Sequence, residues 1–395
     1  MSSEKLANRV KDLQSSAIRE LLKHSKMEGV ISLGGGIPNP DLFDTEGLRM
    51  AMDRVLTLDG HNAFQYGISE GDPALREAIC QISAQRGIRS TIDDVVVTSG
   101  SQQSLDILAR TLINPGDVIV VERPTYLAAL QVFQLAEAQL QSVGTDGEGM
   151  IVDELEELVK KTAIKAVYIV PTFGNPGGVT LSDARRKQLV ELAVRYDFLI
   201  LEDDPYSEIN FTEEKFRTLK SHAQETGADD KVIYTSTFSK ILAPGARVGW
   251  LVVPAWLKQQ VVILKQATDL HTSSLSQALT RHYLESGRLQ PQIELIRQVY
   301  KQKRDALCVA LETELGDRIR FHQPKGGMFL WATFTESFNT TEWLKTTLSN
   351  GVVYVPGEFF YCDRPDTSTL RLSYASVSES HLAEAAKRLK TSLPQ

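Results

Sequence analysis

The sequence is poor in cysteine, short of positive charge, and without any long apolar run. Its three cysteines, Cys80, Cys308 and Cys362, are odd in number and scattered without metal-ligand spacing. That pattern argues against a disulfide framework or a cysteine metal site and fits reduced thiols of a cytoplasmic protein. No stretch approaches the roughly 20 apolar residues needed to span a bilayer. The first thirty residues carry charges throughout in place of the short apolar run of a secretory signal, so a cytoplasmic location is expected. Lys plus Arg number 43 against 50 Asp plus Glu, a net charge of -7. That balance speaks against a general nucleic-acid binder or a polybasic membrane-surface protein. Any cation needed for an anionic ligand must be placed locally.

What is present is an ordinary globular balance, 42% apolar and 24% charged over 395 residues, long enough for two domains or one large and one small. From Ile92 onward, β-branched runs alternate with helical patterns. Strands are expected at 95–97, 118–121, 166–170, 198–201, 232–234 and 248–253, with helices at 101–112 and 182–196 among them. Strands separated by crossover helices imply an α/β fold: a mainly parallel sheet flanked by helices, whose strand C-termini collect the ligand. Past Val261 long amphipathic helices take over, including 292–315, and strand-like pieces at 328–334, 352–355 and 369–374 fit a smaller α+β domain. The expected division is an N-terminal arm with part of the small domain over residues 1–50, a large domain over 51–285 and a small domain over 286–395. Gly34 to Gly36, Pro38 and Pro40 point to an irregular arm.

Five loops after these strands carry the chemistry. Thr237, Ser239 and Arg247 could supply donors and charge to a phosphate monoester from one loop, leaving Lys240 beside the anion. A lysine forms an imine only as the neutral amine, so neighbouring cations and partial burial would suit Lys240 for that task; alone it also reads as a solvated surface lysine. The run from Val95 through Gly100 to Ser101 and Gln102 is a strand passing through glycine into a helix, offering unpaired N–H groups to an anion or an ordinary helix cap. Asp203, at a strand end before Asp204, Pro205 and Tyr206, can hold a pyridinium nitrogen protonated or cap a turn. Asn175, within a turn rich in Pro and Gly, has an amide able to donate to a phenolate oxygen, and Tyr126 offers a flat face to a planar ring. Arg371 interrupts a strand-like alternation and could clamp a carboxylate or face solvent. No metal site is expected.

Taken together and in this order, these segments resemble the fold-type I, class I/II aminotransferases, most of all the kynurenine/2-aminoadipate and aromatic branch. The resemblance runs over nearly the whole chain. It implies pyridoxal 5′-phosphate as cofactor, with Lys240 its Schiff-base lysine, Asp203 the partner of the ring nitrogen, and Tyr206 and Asn175 at the phenolic oxygen. It further implies that Ser101, Gln102, Thr237, Ser239 and Arg247 hold the phosphate and that Tyr126 stacks on the ring. Arg371 resembles the arginine that binds the substrate carboxylate, Tyr66 resembles a tyrosine lent by the neighbouring subunit of a homodimer with a shared active site, and Arg19 and Gly36 are further substrate contacts. One departure is Gly177, where the family usually has Thr. The implied activity moves the amino group of an aromatic, 2-aminoadipate-like or branched aliphatic amino acid to a 2-oxo acid such as 2-oxoglutarate. A lyase or decarboxylase using the same cofactor, or a regulatory protein that binds it without turnover, are the alternatives. Related regulators carry a DNA-binding domain ahead of this fold, for which the residues before Gly34 are too few. The expected partners are therefore small molecules and a second copy, not nucleic acid or membrane.

Overall fold

Runs of four or more consecutive buried residues are what a sheet covered on both faces requires, and the computed structural model, which describes residues 5–11, 27–336 and 338–394, builds its main sheet from them. In chain order the strands begin with β1 (Ile31–Ser32), β2 (Val95–Thr98), β3 (Val118–Arg123), β4 (Gln139–Asp146) and β5 (Gly149–Met150). They continue with β6 (Ala166–Ile169), β7 (Leu199–Asp203), β8 (Val232–Thr237) and β9 (Gly249–Val252). All but β1 join one eight-stranded sheet in the order β2-β9-β8-β7-β6-β3-β4-β5. Neighbouring pairs among β3, β4, β6, β7 and β8 are parallel, and β9 is antiparallel to both β2 and β8. The expected mainly parallel sheet is therefore present.

Side chains alternate across it. Ala166 and Tyr168 of β6 pack into one core cluster with Phe133, Leu201 and Trp250, whereas Val167 and Ile169 pack into a second with Leu155, Leu189 and Ile200. β4 was not anticipated, because its sequence QLQSVGTD is polar and only its middle is buried. It lies near the sheet edge, where one side needs no apolar cover.

The C-terminal part forms a second sheet in the order β10 (Ile319–Phe321), β11 (Phe329–Phe334), β14 (Thr369–Ser373), β13 (Val355–Pro356), antiparallel throughout. The run 352–355, expected as one strand, is split. Val352 and Val353 form β12, parallel to β1, while Val355 and Pro356 turn to pair with Arg371 and Leu370. Pro356 is tolerated because β13 is an edge strand. A 27-residue helix, Leu289–Leu315, presents Ile293, Ile296, Tyr300, Leu307 and Leu311 as a buried stripe, and it packs against helix Glu379–Thr391. The Tyr300 hydroxyl accepts from the Asn39 N–H at 2.9 Å. With Ser373 N–H donating to the Leu33 carbonyl at 2.7 Å, this ties down both ends of the irregular segment 34–38. Among the described residues, no helix is long and apolar enough to cross a membrane.

Close approach decides one position. A Cβ on Gly249 would lie 2.8 Å from the carbonyl carbon of Gly100 and 2.9 Å from the Ser101 nitrogen, both backbone atoms that cannot step aside. Gly249→Ala is expected to destabilise the chain by about 1–3 kcal/mol, as overpacking does, read as a lowered midpoint of chemical unfolding; an unchanged midpoint would show that β9 and the Gly100 turn are not in this contact.

Candidate active site

The strand order reverses at β3 and β6, and the loops leaving the C-terminal ends of β3, β6, β7 and β8 converge there, as expected for a doubly wound sheet. They enclose a cavity of about 320 Å³ lined by Ser101, Gln102, Tyr126, Asn175, Asp203, Tyr206, Thr237, Ser239, Lys240, Arg247 and Arg371, together with Gly36. Twelve of the fourteen residues singled out from the sequence thus share one wall. Tyr66 does not: it stands 79% exposed, edge-on to His271, away from this chain's own cavity. Arg19 lies outside the described residues.

One end of the cavity is built for an anion. Helix Ser101–Leu112 starts directly after Gly100 with no side chain capping it, so its first-turn N–H groups remain available. Gly100 has φ +83°, and a Cβ there would lie 2.6 Å from an Arg247 nitrogen, so only glycine lets the guanidinium lie against the turn. Arg247 donates to the Ser99 carbonyl at 3.0 Å. The hydroxyls of Thr237 and Ser239 are 2.9 Å apart, and Thr237 Oγ1 also accepts from the Ser239 N–H at 3.1 Å. Two hydroxyls, a guanidinium and a helix N-terminus therefore face one space.

The same cavity is lined by a buried carboxyl. Asp203, only 2% exposed, accepts from the Tyr168 hydroxyl through Oδ2 at 2.9 Å. Its Oδ1 is buried without a partner among the described residues. Burial pushes Asp203 up to about 7, with Asp204 adding to the rise and Tyr168 and Lys240 opposing it. Behind it, Arg86 donates to Tyr234 at 2.6 Å and to Ser236 at 2.9 Å, and Ser236 donates to the Asp204 carbonyl at 2.6 Å. This network ties the loop after β7 to strand β8, which runs on to Lys240.

Lys240 lines the cavity with both of these groups. Burial, and then the like charges of Arg371 and Arg247, lower its amine to about 8 against the pull of Asp203. Nζ donates to the Gly36 carbonyl at 3.3 Å. Arg371, 1% exposed, donates to Asn175 Oδ1 at 2.8 Å and to the Gly34 carbonyl at 2.7 Å. Its Nε has no partner. Phe329 and Phe360 flank the guanidinium with ring centroids 4.3 and 5.0 Å away. Burial lowers Arg371 to about 10. The Asn175 turn, which Gly177 leaves without a threonine hydroxyl, is held by Gly178 N–H to Gly174 O at 2.6 Å and by Phe173 N–H to Thr180 Oγ1 at 3.3 Å.

Sequence reasoning did not single out Tyr168, Arg86, Phe329 or Phe360. Tyr and Phe inside strands read as ordinary β-formers, and nothing in the local sequence says that the Tyr168 hydroxyl ends on the site carboxyl. Leu127, Ala128, Gln131 and Ile37, which line the cavity beside Tyr126, were also missed. The donor set fits pyridoxal 5′-phosphate. A partnerless buried acceptor, Asp203 Oδ1, suits a ring N–H, a glycine-backed cluster of donors suits a phosphate, and an amine drawn toward neutrality suits imine formation.

The sequence profile of the family described as aminotransferase class I and II matches residues 29–389. The chain is 42% identical over 389 residues to aromatic-amino-acid aminotransferase 1 of Thermococcus litoralis, covering 97% of this chain and 92% of that one. Its fold superposes with a TM-score of 0.94 on the crystal structure of Pyrococcus horikoshii kynurenine aminotransferase in complex with PMP, at 40% identity over 99% of this chain and 97% of that one. The TM-score is 0.92 with the Thermus thermophilus α-aminoadipate aminotransferase complexed with N-(5′-phosphopyridoxyl)-L-leucine, at 34% identity over 99% of this chain and 98% of that one.

The lowered Lys240 amine has a stability consequence. A lysine whose folded pKa lies below its unfolded value binds fewer protons when folded, so it weighs against folding below about pH 8 and stops doing so as pH rises toward 10.5. Cofactor-free Lys240→Met is expected to be more stable than wild type by about 3 kcal/mol near neutral pH. The advantage should shrink between pH 8 and 10.5 in denaturant titrations; a constant advantage would show that packing, not charge, is responsible.

Proposed function

This chain belongs to the class I and II aminotransferases, and from that premise we propose the residue roles, donor class and assembly set out below. It is a pyridoxal-phosphate enzyme that transfers amino groups. The named relatives are aminotransferases, which favours transfer over decarboxylation, elimination or binding without turnover. When bound, the cofactor supplies a carbonyl that takes up the amino group and a ring that accepts the electron pair left at the substrate Cα.

The single observation that carries the residue assignment is that Lys240 and Asp203, each buried enough to leave its ordinary protonation range, line the same cavity. In this reading Lys240 Nζ, about half of it neutral at pH 8, would carry the cofactor and serve as the base for the Cα proton. Asp203 Oδ1 would accept from the ring N–H and keep that proton in place. Ser101, Gln102, Thr237, Ser239 and Arg247 would hold the phosphate, Tyr126 would cover the ring face, and Tyr206 and Asn175 would contact the phenolic oxygen. Arg371 receives the substrate carboxylate as a paired donor, its guanidinium kept flat by Phe329 and Phe360. Gly36, and Arg19 from the N-terminal arm, complete the substrate cover.

The donor we assign is an aromatic, 2-aminoadipate-like or branched aliphatic amino acid, with 2-oxoglutarate as acceptor. The support is the largely apolar wall of Ile37, Leu127, Ala128 and Gln131 and the similarity of the chain to aromatic, 2-aminoadipate and kynurenine aminotransferases. A homodimer with a shared site is supported by the exposure of Tyr66 and of the large apolar side chains Leu56, Leu58, Phe64 and Ile68 close to it in sequence. We take residues 51–285 as the cofactor domain and 286–395, joined by 1–50, as the smaller one, with the long helix from Leu289 at the junction. Free cysteines fit a cytoplasmic enzyme.

The assignment is tested by two variants assayed over a panel of amino donors with 2-oxoglutarate. Lys240→Ala is expected to lose at least about 10³-fold in kcat, and Arg371→Ala to raise KM for the donor by about 10–100-fold, as loss of a charged hydrogen-bond pair does. Turnover by Lys240→Ala close to wild type would remove Lys240 from the reaction, and a donor KM unchanged in Arg371→Ala would remove Arg371 from carboxylate binding.

A further inference from the structure

We infer that Tyr168 is a positioning residue for Asp203: its hydroxyl occupies one carboxylate oxygen and leaves the other, Oδ1, as the free acceptor for the cofactor's ring N–H. This rests on the reading of Asp203 given above. The geometry begins in the sheet. β6 and β7 are adjacent and parallel, with Tyr168 beside Leu201. Because side chains alternate, Tyr168, Leu201 and Asp203 project from the same face, and the long Tyr168 side chain reaches forward to the end of the neighbouring strand.

Both residues are sealed from solvent, at 0% and 2% exposure, and the hydroxyl makes its one hydrogen bond among the described residues to Asp203 Oδ2, at 2.9 Å. Phe133 meets the Tyr168 ring edge-on at 5.5 Å and 67°, which holds the ring direction. Packing alone would be served by phenylalanine at this position; the hydroxyl adds only the bond to Asp203.

That bond favours the ionised carboxylate. The other groups facing Asp203 are Asp204, which raises it, and Lys240, which lowers it. The phenols of Tyr126 and Tyr206 are themselves pushed up by burial and by Asp203, so they stay neutral. Glu122, on the Tyr168 side, is pushed up to about 8 by burial. Among the described residues Tyr168 is therefore the sole neutral donor on a carboxyl that stands at about 7, and its removal must move Asp203 higher. A charged-acceptor hydrogen bond corresponds to about one pH unit.

The test titrates the cofactor-free full-length chain with pyridoxamine 5′-phosphate, which has no aldehyde to react with Lys240, and follows protein fluorescence from pH 6 to 9. Expected for Tyr168→Phe is an acid limb of affinity displaced upward by about one pH unit. Binding should then be up to about tenfold weaker than wild type below neutrality and converge with it by pH 9. 3-Fluorotyrosine at position 168, a stronger donor of nearly the same size, should displace the limb downward, which keeps the test open if the Phe variant does not fold. Weakening by the same factor at every pH, or no weakening, overturns the inference in favour of packing alone. Asp203→Asn separates the two readings. If it binds like wild type, the assignment of Asp203 to the ring nitrogen fails; if it binds weakly while Tyr168→Phe is unchanged, only the role of Tyr168 fails.

Discussion

The site depends on burying ionisable groups without pairing them off. Lys240, Asp203 and Arg371 lie in one cavity, and burial is the first cause of the displacement of each: the amine down to about 8, the carboxyl up to about 7, the guanidinium down to about 10. A direct Lys240–Asp203 salt bridge would relieve that cost and silence both groups. The fold sends the two from different strands into one cavity, each with a neutral partner at hand: a backbone carbonyl for Lys240, a phenol for Asp203. Charges kept in suspense this way are common where chemistry is done.

Holding such groups apart requires a rigid scaffold, and the parallel sheet supplies it. Its two faces are buried in separate apolar clusters, so the strand ends cannot shift without disturbing both. Beneath the site, the polar network of Arg86, Asp204, Glu208, Tyr234 and Ser236 does what apolar packing cannot, fixing the direction of the loop after β7 against strand β8 through hydrogen bonds. Arg86 also lies over the Trp250 ring at 5.5 Å, which couples this network to the core of the sheet.

Much of this was readable in the chain itself. The core strands announce themselves because a sheet buried on both faces needs continuous β-branched runs, and the reactive loops follow because ligands gather at strand ends. β4 was invisible for the converse reason: near the edge, a strand need not be apolar. The break of 352–355 depends on which partners the two halves meet, information that no local pattern holds. Tyr168 illustrates the same limit inside the site, since its value comes from the strand next door. Tyr66 stands outside this chain's own cavity although its sequence context pointed to the active site, and Arg19 falls in a segment outside the described residues.

The two carbonyls of the N-terminal glycine segment bear on selectivity. Gly34 O takes one N–H of Arg371, and Gly36 O takes one of Lys240, while Arg371 Nε stays without a partner among the described residues. A molecule arriving at Arg371 therefore meets open N–H groups beside occupied ones. A species bearing a formal negative charge gains most there, because ionic hydrogen bonds are roughly twice as strong as neutral ones. Simple amines and amino-acid amides have less to offer the same guanidinium.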